Sequence, residues 1–98
     1  MTFKLVLVDE APVVLKLLKY TPHLSSQFKA VSKALIYLQN NPRHPSLQTH
    51  KYHGMAGPEG QDVFEAYAQQ NTPGAYRIFF YYGPGKCEIT VFAIVAHP

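Results

Sequence analysis

Phe3, Leu5 and Leu7 lie on one side of a period-two run through Lys4, Val6 and Val8, the pattern of a β-strand. Asp9 then stands where a helix N-cap belongs, and Pro12 fits the first turn of a short helix. In that helix Val13, Val14, Leu17 and Leu18 are expected to face inward, with Lys16 and Lys19 in water. Thr21-Pro22 breaks it. A second helix is the clearest local signal, because Leu24, Phe28, Val31, Leu35 and Leu38 recur every three or four residues as one stripe. Asn40-Asn41-Pro42 ends it, since the residue before a proline is driven out of the helical region. Two such helices cannot bury their stripes against each other alone and need a sheet.

The second half of the chain supplies one. Val63 to Ala68, Ala75 to Tyr82 and Cys87 to Ala96 read as three strands, joined by turns at Asn71-Thr72-Pro73-Gly74 and Gly83-Pro84-Gly85-Lys86. Pairing Tyr82 with Cys87 gives an apolar face of Tyr76, Ile78, Phe80, Cys87, Ile89, Val91, Ala93 and Val95, with Cys87 in a structural role. The other face holds Arg77, Phe79, Tyr81, Glu88, Thr90, Phe92 and Ile94. Aromatics exposed around an arginine are typical of a binding surface. The predicted fold is α+β: an N-terminal strand and helix pair packed on a twisted antiparallel sheet, in the order β-α-α-β-β-β, forming a single domain over residues 1–98.

Residues 42–62 are left as one irregular segment rich in Pro, Gly and His. Loops longer than about 12–15 residues are uncommon inside small domains unless they carry function. The formal charge of +3 is unevenly spread: Arg43, His44, His50, Lys51 and His53 fall within this segment, and no acid lies between residues 43 and 53. Such a patch suits an anionic partner. With 47% hydrophobic and 15% charged residues, the composition is that of a packed globule and not of a disordered chain. One cysteine, Cys87, permits no internal disulfide and fits a reducing cytoplasm. Leu5 to Val8 is too short for a signal-peptide core, and Val91 to Ala96 too short to span a bilayer, so a soluble chain with no membrane partner is expected.

The order strand, helix pair, basic loop, meander resembles the RelE/ParE superfamily of toxin–antitoxin toxins. The likeness is sharpest in Val63-Phe64-Glu65 followed by Ala75-Tyr76-Arg77-Ile78-Phe79-Phe80, which looks like that superfamily's aromatic-Glu strand and its "YRI/V-aromatic-Y" strand. Leu38 through Asn41-Pro42 and the basic 46–54 stretch resemble its helix end and Lys-containing loop, most of all in the HigB-like, phage-associated branch. The resemblance implies a bacterial toxin that cleaves mRNA on the ribosome or free. In that chemistry the RNA's own 2′-hydroxyl attacks the adjacent phosphate, without metal or organic cofactor. It also implies a cognate antitoxin as partner.

On that resemblance Arg77 is the phosphate-contacting arginine, its planar fork of donors suited to phosphate oxygens. The alternative is an ion pair with Glu65 across the strands. Glu65 is a general base or an orienting partner of Arg77; where family members often carry arginine two residues later, this chain has Tyr67. Lys51 is the loop lysine or a solvated side chain. His97 matches a terminal histidine that performs acid–base work in part of the superfamily. By strict alternation from Val95, however, it points away from Arg77 unless a bulge intervenes. Arg43, His50, Tyr52, His53, Phe79 and Tyr81 complete the expected RNA-binding set, Tyr52 as a stacking platform.

Three other readings stay open. His44, His50 and His53 share a segment, yet one cysteine and no His-Glu-x-x-His helix argue against a metal site. A superfamily member that binds a protein target, as the gyrase-poisoning branch does, needs no cleavage, and only Arg43 and Arg77 supply guanidinium groups. A small interaction module is the third.

Overall fold

In the computed structural model, which describes residues 2–97, the chain runs β1 (Lys4–Leu7), α1 (Ala11–Tyr20), α2 (Ser25–Asn40), β2 (His50–Ala56), β3 (Asp62–Tyr67), β4 (Tyr76–Tyr82) and β5 (Glu88–Ala96). The architecture is α+β. Met1 and Pro98 lie outside the described residues; the last strand ends at Ala96, and His97 follows it. The sheet order is β1-β5-β4-β3-β2, with β1 parallel to β5 and the other pairs antiparallel. The sheet is therefore mixed and five-stranded among the described residues, where the sequence pattern predicts an antiparallel sheet and one strand fewer.

The additional strand is β2, inside the segment expected to be an irregular loop. All seven of its residues are exposed, so it shows none of the apolar alternation by which strands are recognised. Backbone pairing with β3 makes it a strand: His50, Lys51 and Tyr52 stand opposite Glu65, Phe64 and Val63. A turn over residues 57–61 closes the hairpin, with the Gly57 N–H donating to the Gln61 carbonyl at 2.8 Å.

The helix stripe behaves as its spacing dictates. Val31, Ala34, Leu35 and Leu38 of α2 are buried against Ala66, Ile78, Phe80, Ile89, Val91 and Ile94 of the sheet, with Leu18 of α1 and Leu47 completing one cluster. In α1 the inward side is Ala11, Val14, Leu15 and Leu18, while Val13 and Leu17 are exposed, contrary to expectation. The reason is at the helix start. Asp9 does not cap; it adopts a left-handed φ of 54° and leads α1 onto the sheet, and Glu10 occupies the cap position without a side-chain bond. The expected breaks at Thr21-Pro22 and after Asn40 are both present.

The β4–β5 pairing departs from alternation once, and that departure shapes the site. Tyr82 pairs with Ile89, Tyr81 with Thr90 and Phe80 with Val91, after which Phe79 pairs with Ala93. Phe92 is the extra residue of a β-bulge. Beyond it Ile94 joins the helix-facing core, and Ala93 and Val95 turn to the open face beside Phe79 and Arg77, reversing the predicted sides of all three. Cys87 is not a core-face strand residue either. It is exposed, has a φ of 51° and precedes β5 in the turn.

Candidate functional site

The open face of the sheet carries a polar constellation on adjacent strands. On β3, Glu65 and Tyr67 lie on one side, and on β4 Arg77 stands opposite Tyr67, one step diagonal from Glu65. On β2, His50 stands opposite Glu65. Glu65 is 4% exposed and is satisfied at both oxygens. His50 Nε2 donates to Oε1 at 2.8 Å, and Arg77 Nη1 donates to Oε2 at 2.8 Å. A carboxylate taken out of water is tolerable only with partners of this kind. The Arg77 guanidinium lies 4.7 Å above the Tyr67 ring, whose edge meets the His50 ring at 5.6 Å.

The two ring nitrogens of His50 both face acceptors: the Gln48 carbonyl oxygen at 3.0 Å and the Glu65 carboxylate at 2.8 Å. The carboxylate oxygen accepts, so the proton of the short contact sits on Nε2 and His50 is a donor to Glu65. Among the described residues Arg77 makes one hydrogen bond, through Nη1, so its remaining N–H donors are open to a ligand.

The bulge brings in His97. It follows β5 with its N–H donating to the Ala75 carbonyl at 2.8 Å, and alternation from Val95, the partner of Arg77, puts it on the open face. Strict alternation without the bulge puts it on the opposite side. Arg77 and His97 line one cleft of about 440 Å³ together with Tyr67, Gln48 and the 69–73 turn, and no acidic side chain is among the described residues of that lining. The signal for His97 in the sequence is its position alone. Tyr67 and Gln48 escape sequence reasoning. Tyr67 registers there only as a missing arginine, yet it stands two residues from Glu65, where a strand repeats its face.

Lys51 does not join this group. Neighbouring residues of a strand point to opposite sides, and Lys51 stands across from Phe64, where it pairs with Asp62 at 3.2 Å. With Arg43, His44, Thr49 and Tyr82 it lines a second cleft, which His50 also borders. Burial of Tyr82 pushes its phenol above the ordinary value of 10.0, with the Arg43 charge pulling the other way. His53 is exposed on β2. The aromatics of the open face are less available than their pattern suggests. Tyr81 is 8% exposed and Phe79 half-buried, because Phe92 packs at 6.0 Å and 6.4 Å from their rings and Tyr52 meets Phe79 edge-on at 5.2 Å. Only Tyr52 of the three keeps substantial exposure, at 38%. The histidines do not gather: among the described residues no three His, Cys, Asp or Glu side chains converge as a metal-ligand group. No described helix is long and apolar enough to cross a membrane.

Compared with known proteins, the chain matches no family model, no curated protein and no solved structure.

Proposed function

We propose that the protein is a RelE/ParE-like toxin, an endoribonuclease that cleaves mRNA, on the ribosome, by attack of the 2′-hydroxyl on the adjacent phosphate, and that a cognate antitoxin restrains it in the bacterial cytoplasm. One observation carries this reading: Arg77 and His97 line a single cleft with no acidic side chain among the described residues of its lining. In the proposed reaction a bond forms between the 2′-oxygen and phosphorus, and the bond to the 5′-oxygen breaks, leaving a cyclic phosphate. A proton must leave the 2′-hydroxyl and another must reach the departing 5′-oxygen. His97 is the group placed to exchange one of them, and Arg77 the fork that holds the phosphoryl oxygens as charge builds on them. Glu65, His50 and Tyr67 position Arg77 and do not themselves touch substrate.

His97 is exposed, so its replacement leaves the core intact. His97→Ala is expected to lower RNA cleavage by roughly 10²–10⁴-fold, the range for a lost acid–base group, with an unchanged melting temperature. Full cleavage by that variant would eliminate this nuclease mechanism. A second reading has an observation of its own. Glu65 already engages both Arg77 and His50, which suits a structural network in a protein that binds its target without cleaving RNA. The exposed Val13, Leu17 and Tyr20 of α1 then offer a protein partner an apolar surface. Growth arrest that persists in the His97→Ala and Arg77→Lys variants, with inhibition of gyrase supercoiling in vitro, would select it.

A further inference from the structure

A second cleft, also about 440 Å³, opens along β2; His50 is in its lining, and Gln48 lines both this cleft and the one at Arg77 and His97. Its size falls within the roughly 300–1,000 Å³ typical of small-molecule sites. Arg43, from the segment after α2, and Lys51, from β2, supply two positive charges, and the lining contains no acid. His44 stacks on Tyr37 with ring centroids 3.9 Å apart, and its Nδ1 accepts from the Ser46 N–H at 3.1 Å. An imidazole that accepts at Nδ1 carries its proton on Nε2, so the ring is fixed as a donor. Tyr82 places its phenol here too, kept protonated by burial and close enough to Arg43 to feel its charge. The wall beside these donors is aromatic: Phe64 and Tyr82 meet edge-on at 5.5 Å, and Tyr82 retains 38% exposure.

Two cations and fixed donors lining one cleft with an exposed aromatic ring beside them match a phosphate attached to a flat heterocycle. We propose that this cleft binds a nucleoside phosphate, with Arg43 and Lys51 on the phosphate and the base against Tyr82. The two clefts share Gln48 but not their cations, and binding here does not depend on cleavage at Arg77 and His97. Asp62, which pairs with Lys51 at 3.2 Å, is no obstacle. Both partners are largely exposed, and such pairs are weak enough for a dianion to displace. The nucleoside phosphate is either free or one unit of an RNA strand, and the chemistry at the cleft is the same.

Amide NMR of the full chain, titrated with adenosine 5′-monophosphate, adenosine and a short RNA whose 2′-hydroxyls are methylated, tests the proposal. Saturable shifts are expected at Thr49, Lys51 and Tyr82 with the monophosphate and not with adenosine. Arg43→Ala and Lys51→Gln, both at exposed positions, should each weaken binding about tenfold, the scale of one charge-assisted hydrogen bond. Lys29→Gln, an exposed charge on α2 that lines neither cleft, should leave it unchanged. Equal occupancy by the monophosphate and the RNA supports a free nucleotide as ligand, and much tighter binding of the RNA supports a strand; both uphold the site. Shifts confined to the Arg77–His97 cleft, binding insensitive to both substitutions, or no saturable binding by either phosphate-bearing probe would overturn it.

Discussion

The two faces of the sheet solve burial in different ways. The helix-facing side is covered by α1 and α2 and filled with aliphatic side chains and Phe80, so its order rests on close packing. The open side has no second layer, yet Val63, Glu65, Tyr81 and Thr90 on it are all buried. There, aromatic rings lean on one another, and one carboxylate ties three strands together through His50 and Arg77. Packing contacts are many and individually small, whereas the open side concentrates its strength in a few directional bonds. A face built in the second way can leave donors free for a ligand. A face built in the first cannot.

The largest loss is expected from the helix side. Phe80→Ala removes a fully buried ring and should cost about 3–5 kcal/mol in urea unfolding. On the open side Arg77→Ala strands Glu65 with one partner. Because the Arg77 side chain is 24% exposed and water reaches it, the loss should fall short of a fully buried pair, at about 2–3 kcal/mol. The joint replacement Glu65→Leu with Arg77→Met should recover most of that stability while abolishing any RNA cleavage. Failure to recover would mean the network does more than satisfy its own charges. His50→Ala should cost about 1–2 kcal/mol, and hydrogen exchange should show faster opening of β2 while the amides of β4 and β5 keep their protection.

The smallest effect concerns Tyr82. Its ionisation is resisted in the folded chain, so the unfolded chain loses that proton first as pH rises. Its contribution to stability is thus intact below pH 10.0 and declines above it, toward the raised folded value. Arg43→Ala removes the opposing pull, and ultraviolet titration of the phenol should then move further upward. A downward move would contradict the placement of Arg43 beside the hydroxyl.

What can be read from the sequence follows the same division. The α2 stripe, the breaks at Thr21-Pro22 and Asn41-Pro42, and the strands β1, β3, β4 and β5 are legible because burial imposes a period. β2 is not, since it is held by backbone pairing at an exposed edge and its side chains record no inside and outside. For the site, Arg77 with Glu65 is visible as two charges in strand sequences, and the ion pair weighed as an alternative is present. Lys51 and His50 group together by proximity along the chain and both line the cleft at Arg43, but their polar partners differ: His50 turns to Glu65, Lys51 to Asp62. The buried arc of α1 is obscured for a related reason: six of its ten residues are aliphatic, so periodicity alone does not single out one side.

One extra residue in β5 works as a half-period phase slip. Every side chain downstream of Phe92 is switched between the two surfaces by that single insertion, and His97 inherits the result. Deleting Phe92 alone would restore the phase, returning Ile94 to the open surface and sending His97 to the helix side. A single codon thus toggles whether a terminal histidine can meet Arg77, and a lineage could acquire or discard that pairing in one step without altering either residue.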